Sequence, residues 1–233
     1  MSSIDRSLIS GMPLFADLGD ADLDQILAEA RASRVEKERA IFEQEAEAES
    51  FFLLLDGHVR VVRTTPEGNQ VIARYIGPGE LFGIAAALGR TTYPASAVAA
   101  VDCVVIAWPS AHWPALASRY PAFAANTYKL VGARLQETQE HVVELSTEQV
   151  EQRIARTLMR LIQQTGRKTD EGVLIDFPIT RQQIAEMTGT TLHTVSRTLS
   201  AWETRGLVRN SRQKVLVVEP HQLFAIAEHG SGH

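Results

Sequence analysis

The chain has 233 residues, 45% of them apolar, a formal charge of −5 and one cysteine. That length suits one large domain or two small ones, and the lone Cys103 excludes an internal disulfide, a four-cysteine zinc site and an all-cysteine iron–sulfur cluster. No run approaches about eighteen uncharged apolar residues and no basic-then-apolar leader opens the chain, so a soluble cytoplasmic protein without membrane contact is expected.

Charge is unevenly spread. Residues 1–146 hold 12 Lys and Arg against 19 Asp and Glu, whereas residues 147–233 hold 11 against 9. A polyanionic partner is therefore expected to meet the C-terminal third.

In chain order, "DADLDQILAEA" places Leu23, Ile26 and Leu27 on one face of a helix after an acidic first turn. From about Arg34 to Pro109 short apolar runs alternate with turn residues. Asp56-Gly57, Pro66-Glu67-Gly68 and Gly77-Pro78-Gly79 read as hairpin turns, and the whole as a small sandwich or β-roll. Cys103 shares a strand face with Val101 and Val105 and reads as buried packing rather than a redox sensor.

Pro114 and Pro121 then start a short and a long helix. In the long one Ala124, Tyr128, Val131, Leu135, Thr138, Val142 and Leu145 alternate steps of four and three, a heptad seam. One such stripe can lie on the strand domain; the polar flanks Arg134, Gln136, Glu137, Glu140 and Glu144 favour pairing with a second copy. Ser146-Thr-Glu-Gln149 fits a capping box that restarts a helix, which places a hinge at Leu145–Thr147. Domains are thus expected over 1–120, 121–146 (pairing helix and hinge) and 147–233.

After the polar loop "RKTDEG" and a short strand "VLIDFP", a second capping box appears at Thr180-Arg-Gln-Gln183, stapled by Ile179 and Ile184. The short helix it starts ends at Gly189, and "TGTTLHTVSRTLSAW" follows. There Leu192, Val195, Leu199 and Trp202 share one helical face, and His193, Ser196, Arg197 and Ser200 the other. "GLVRNSRQKVLVVEP" adds a hairpin wing, and the terminal "HGSGH" reads as a tail. Helix, glycine turn and two-faced helix make a helix-turn-helix, whose second helix enters the major groove. Arg197 can donate two parallel bonds to guanine, and His193 and Ser196 can each donate or accept at a base edge. Thr180, Arg181, Thr191 and Thr194, with Arg212 and Lys214 of the wing, are placed to hold phosphates. A solvated face would explain Arg197 alone, but not the caps, turn glycine, split faces and wing together.

The order of strand domain, long helix, hinge, "ITRQQIAEMTGTTLHTVSRTL" and wing resembles the CRP/FNR superfamily of bacterial transcription regulators across nearly the whole chain. The resemblance implies an α+β fold: an N-terminal cyclic-nucleotide-binding-like β-roll, a long central dimerisation helix and a C-terminal winged helix-turn-helix. It implies a homodimer paired through the central helix, reading double-stranded DNA with two-fold TTG…CAA-type symmetry and acting on RNA polymerase. The base-reading positions of FNR-type members fall on His193, Ser196 and Arg197; they usually carry glutamate at the first.

Cyclic-nucleotide-binding relatives supply a glutamate for ribose and an arginine for the cyclic phosphate. In "GPGELFGIAAALGRTTYPASAVAAVDC", Ile84 stands at the glutamate position and Tyr93-Pro94 near the arginine, with Arg90 three residues too early. Cyclic AMP is therefore not the expected effector, although Thr138 matches the family's adenine-contacting threonine as well as a seam position. The "LFG…YP…A" segment and "TLHTVSR" reader look most like the NnrR-type branch, which controls nitrite and nitric oxide reductase genes. That resemblance implies nitric oxide as signal, through haem, in a pocket of Phe82, Gly83, Ile84, Leu88, Tyr93, Leu135 and Thr138. His58, His112 and His141 are candidate axial ligands, His141 preferred. A different effector, or none, is the alternative. No catalytic set or phosphate-cradling loop is present, so an enzyme is not expected.

Overall fold

The computed structural model describes residues 4–211 and 213–230, so Arg212 and the expected terminal tail lie outside the described residues. The chain divides into two compact units, Met1–Gly68 with Ala73–Glu137, and Asn69–Ile72 with Thr138–His233.

The first unit opens with helix α1 (Asp20–Ala28) and continues through strands β1 (Arg31–Val35), β2 (Ala40–Phe42), β3 (Ser50–Asp56), β4 (Val59–Thr64), β5 (Gln70–Ile76), β6 (Leu81–Phe82), β7 (Ser96–Ala99) and β8 (Cys103–Pro109). Helices α2 (Trp113–Arg119) and α3 (Pro121–Thr147) follow. The strands form two four-stranded sheets, β1-β8-β3-β6 and β2-β7-β4-β5. This is the expected β-roll.

Its core explains why β3 reads "SFFLLLD", apolar at successive positions rather than alternate ones. Phe52 and Leu54 face the space between the sheets, with Val59, Ile76, Ala97, Ala99, Cys103 and Val105. Phe51 and Leu53 point the other way, into a cluster with Leu23, Ile26, Leu27, Trp113 and Phe123 of the helices. Both faces are covered, so neither tolerates polar residues. Trp108 of β8 locks helices to sheet, its indole N–H donating to the Ile26 carbonyl at 2.8 Å.

Of the three expected hairpins, only Pro66–Gly68 joins neighbouring strands, β4 and β5. Asp56-Gly57 and Gly77–Gly79 instead carry the chain from one sheet to the other. At Gly57 the backbone takes φ +92° and passes so close to the turn before β8 that a Cβ would sit 2.5 Å from the Asp102 carbonyl oxygen. A turn sequence specifies a change of direction, not which edge receives the next strand.

The second unit contains α4 (Val150–Thr165), β9 (Gly166–Thr169), β10 (Gly172–Ile175), α5 (Arg181–Thr188), α6 (Leu192–Thr204), β11 (Val208–Ser211), β12 (Lys214–Val217) and α7 (Pro220–His229). Its sheet runs β11-β12-β10-β9. The segment expected to be a polar loop supplies β9, which is exposed at every position and, among the described residues, pairs only with β10. An edge strand with no buried face carries no apolar alternation.

The Ser146 capping box is not formed. Ser146 and Thr147 stay helical and donate their hydroxyls back to the Val142 and Val143 carbonyls at 2.9 and 2.8 Å. The cap lies three residues on, where Gln152 Oε1 accepts from the Gln149 N–H at 3.0 Å, so the helix breaks at Glu148–Gln149 and not at Leu145–Thr147.

Trp202 of α6 is fully buried, and its indole N–H donates to Glu151 Oε1 of α4 at 2.8 Å. Trp202→Ala is expected to cost about 3–5 kcal/mol of unfolding free energy. Trp202→Phe, which keeps most of the packing, should cost less than half of that; urea unfolding of the full chain measures both. Equal losses would place the stabilisation in the Glu151 bond instead.

Candidate nucleic-acid interface

The reading helices are built by local chemistry. Thr180 Oγ1 accepts from the Gln183 N–H at 3.1 Å, and Gln183 Oε1 accepts from the Thr180 N–H at 2.8 Å, the reciprocal cap expected of this sequence. Ile179 and Ile184 are both buried. Gly189 ends α5 in the left-handed region at φ +60°, where a Cβ would also press to 3.3 Å on Leu145 Cδ2. Thr191 then caps α6, accepting from the Thr194 N–H at 3.2 Å.

Val195, Leu199 and Trp202 are buried in α6. Leu192 departs from the expected face: it is 47% exposed, because the first turn of α6 projects beyond the core. It lines a cleft with Thr180, Arg181, Asn210, Gln213 and Lys214.

On the opposite side of α6, His193 and Arg197 are exposed and Ser196 is half-buried. Among the described residues these three side chains have no hydrogen-bond or ion-pair partner. The expected phosphate contacts surround them unevenly. Thr180, Arg181 and Lys214 border the cleft between the start of α5 and the wing. The wing is held there by the Ile179 N–H donating to the Gln213 carbonyl at 2.8 Å. The Thr191 and Thr194 hydroxyls bond each other at 2.9 Å, so one hydrogen of the pair is already used and the two together offer one donor to a phosphate. Arg212 lies outside the described residues. The sequence reading missed Asn210, whose side-chain Oδ1 and Nδ2 are buried without a hydrogen-bond partner. An asparagine inside the β-run "LVRNS" was the signal for it.

The expected effector residues are dispersed. Tyr93 and Phe82 pack between the sheets: the Tyr93 ring stacks on Phe42 at 3.8 Å and Phe82 on Phe52 at 5.3 Å. The Tyr93 hydroxyl donates to the Ser50 carbonyl at 2.6 Å, and burial pushes its pKa upward. Gly83, at φ +67°, passes so close to Phe42 and Phe52 that a Cβ would lie 3.0 Å from each. Ile84 belongs to the cluster on the far side of the sheet, and Leu88 is 50% exposed. The single apolar lining expected from Phe82, Gly83, Ile84, Leu88 and Tyr93 is therefore not what these side chains form. Leu135 and Thr138 lie on the exposed side of α3.

Glu80, at the start of the same segment, is fully engaged. It is ion-paired with Arg74, lies 3.4 Å from Arg134 Nη2, and accepts from the Gly77 N–H at 2.9 Å. Burial and the like charge of Arg74 push the Arg134 guanidinium down to about 10 against the pull of Glu80.

His141 turns toward α4: its Nδ1 lies 3.1 Å from Glu144 Oε2 and 3.3 Å from Arg160 Nη2. His112 pairs with Glu29 at 2.8 Å, and His58 follows the sheet crossing at Gly57. Along the seam, Ala124 is buried and Val131 packs on the helix-side cluster, whereas Tyr128, Leu135, Val142 and Leu145 are exposed apolar positions. The upper stripe thus serves its own unit and the lower stripe is uncovered in one chain. Among the described residues no helix is long and apolar enough to cross a membrane.

Comparison with known proteins adds to this geometry. Residues 32–120 match the cyclic nucleotide-binding domain family and residues 152–226 the Crp-like helix-turn-helix domain family. The chain is 32% identical to the cyclic AMP receptor protein of Thermus thermophilus, over 94% of this chain and 98% of that protein. It is 25% identical to the transcriptional activatory protein AadR of Rhodopseudomonas palustris, over 94% and 90%. Among solved structures FixK2 from Bradyrhizobium japonicum superposes with a TM-score of 0.74 at 21% identity, covering 84% of this chain and 96% of that one, a likeness of fold. An exposed reading helix, its wing and full-length similarity to a cyclic AMP receptor protein together place this chain in the CRP/FNR family of DNA-binding transcription regulators.

Proposed function

We propose that the chain acts as a homodimer that reads a two-fold TTG…CAA-type operator through His193, Ser196 and Arg197, and acts on RNA polymerase at genes of nitrogen-oxide respiration in answer to nitric oxide. The observation that carries the DNA reading is that His193 and Arg197 are exposed and Ser196 half-buried, all three without a side-chain partner among the described residues, on a helix whose other face buries Val195, Leu199 and Trp202. Side chains that have no internal partner are available to base edges without breaking anything. Nitric oxide and its target genes rest on the branch-like "LFG…YP…A" and "TLHTVSR" segments alone.

Cyclic AMP has no part in this reading. By the family resemblance Ile84 stands at the ribose glutamate and Tyr93 near the phosphate arginine, and the Tyr93 hydroxyl is held by Ser50. A phosphate brought there would lose its hydration without gaining a charge-assisted pair. Haem does not fit His141, Phe82 and Tyr93 as they stand either. His141 is held by Glu144 and Arg160, and Phe82 and Tyr93 are packed against their neighbours.

Fluorescence anisotropy on a two-fold duplex and on a scrambled one tests the reading. Operator binding is expected to be at least about 10³-fold tighter than binding to the scrambled duplex, and unchanged by added cyclic AMP. Equal affinity for both duplexes overturns the DNA reading. Tightening by cyclic AMP, or a haem absorption band in protein produced with haem supply, overturns the respective exclusion.

A further inference from the structure

The last turns of α3 show two faces. Val142 and Leu145, seam positions, are exposed on one, while His141, Glu144 and Glu148 recur at steps of three and four on another. Glu144 is the one charged residue that is buried among the described residues. Besides His141 of its own helix, the charged groups against it are Arg156 and Arg160 of α4, on a face they share with Arg153.

Each arginine grips the end of α3. Arg160 Nη1 lies 2.8 Å from both Glu144 oxygens. Arg156 Nε donates to Glu148 Oε1 at 3.0 Å and stands 3.7 Å from Glu144 Oε1, while its other nitrogens reach Glu228 at 2.9 Å and the Ala227 carbonyl at 2.8 Å on α7. Arg153 donates to the Leu145 carbonyl at 3.4 Å, the Glu148 carbonyl at 3.2 Å and the Thr188 carbonyl at 3.1 Å. One guanidinium thus joins the end of α3, the residue after it and the last residue of α5, satisfying carbonyls that helix ends leave open. Burial alone would raise the Glu144 carboxyl; the His141 hydrogen bond and the Arg160 charge outweigh it and hold it below the usual carboxylate range. The break at Glu148–Gln149 is therefore braced on both sides.

We infer that Glu144, through Arg156 and Arg160 and alongside the Arg153 contacts to backbone carbonyls, is a positioning residue that fastens the last turns of α3 to the reading helices, so that pairing of two Val142–Leu145 seams directly sets the distance between the two α6 helices and hence the half-site spacing the dimer accepts. This rests on the DNA-reading dimer proposed above. An unbraced two-residue link would let each reading head follow its own half-site, and spacing would go unread. Each added base pair moves a half-site by about 3.4 Å and turns it by about 35°, which a fastened pair cannot follow.

The test uses the full chain with Glu144→Gln. Anisotropy against two-fold duplexes whose half-site separation is changed by one and two base pairs should show wild-type discrimination of about tenfold or more per step, falling below about threefold in the variant. Affinity for a single half-site should stay unchanged. Without DNA, amide exchange over residues 138–147 should speed up by about tenfold or more. Should Glu144→Gln fail to fold, Arg160→Lys, which keeps the charge but gives up the second nitrogen that reaches His141 Nδ1, carries the same expectations. Wild-type spacing discrimination in a folded variant, or unaltered exchange, overturns the inference. Wild-type protein that binds no duplex would sink the DNA reading, while the exchange measurement still decides the brace.

Discussion

Arg197→Ala is expected to remove most operator discrimination while leaving the fold and non-specific DNA affinity nearly intact. The side chain is exposed and has no partner among the described residues, so truncation breaks no internal contact. On guanine its fork supplies two parallel hydrogen bonds worth about 1–3 kcal/mol of discrimination. A dimer uses it twice, so the loss is expected between about 30-fold and about 10⁴-fold. Non-specific affinity, set by counterion release at phosphates, should fall by no more than the loss of one cation per protomer. Anisotropy on operator and scrambled duplex at one fixed salt concentration separates the two terms. Unchanged operator affinity would mean that another face of the molecule reads the DNA. Arg197→Lys keeps the charge without the fork and should lose discrimination but hold non-specific binding.

The second large effect is expected on the lower seam. Leu135 and Val142 are each 58% exposed in one chain, so replacing both by glutamate costs the isolated protomer little. In a paired helix the same substitutions place like charges against each other in a desolvated contact, a cost of several kcal/mol. Leu135→Glu with Val142→Glu is therefore expected to sediment as a monomer at micromolar concentration, with operator affinity reduced to that of one half-site. Thermal unfolding should stay cooperative. A dimer of unaltered strength would move the pairing surface elsewhere on α3.

The two halves of the molecule were legible in the sequence to different depths, for physical reasons. Features whose cause lies within a few residues were readable: the Thr180–Gln183 cap, the Gly189 turn and the Val195, Leu199, Trp202 stripe all follow from local geometry. The β-roll was readable too, from short apolar runs set between turn residues, although which faces of "SFFLLLD" are covered was not. Features decided at long range were not. Ser146 satisfies the pattern of a cap, but nothing nearby forces the helix to stop, and its hydroxyl bonds back to Val142 instead. Asp56-Gly57 turns the chain, yet it crosses between sheets and packs against Asp102, a contact far along the chain that the turn sequence does not show. Phe82 and Tyr93 read as a ligand lining because apolar composition does not distinguish a cavity from a filled core. The arginine brace was invisible for the same reason: Arg153, Arg156 and Arg160 look like a solvated face until α3 is laid against them.

The exposed strand β9 has a bearing on how the molecule behaves when many copies gather. As the outermost member of its sheet it leaves one row of N–H and C=O groups open, the template on which a stranger's strand could add and fibrils could grow. Its four residues are short and bear Arg167 and Lys168 side by side, with Arg167 tethered 3.1 Å from Asp176. Shortness and charged side chains together make this edge a poor template for a second strand, which keeps separate copies from adding to one another through it.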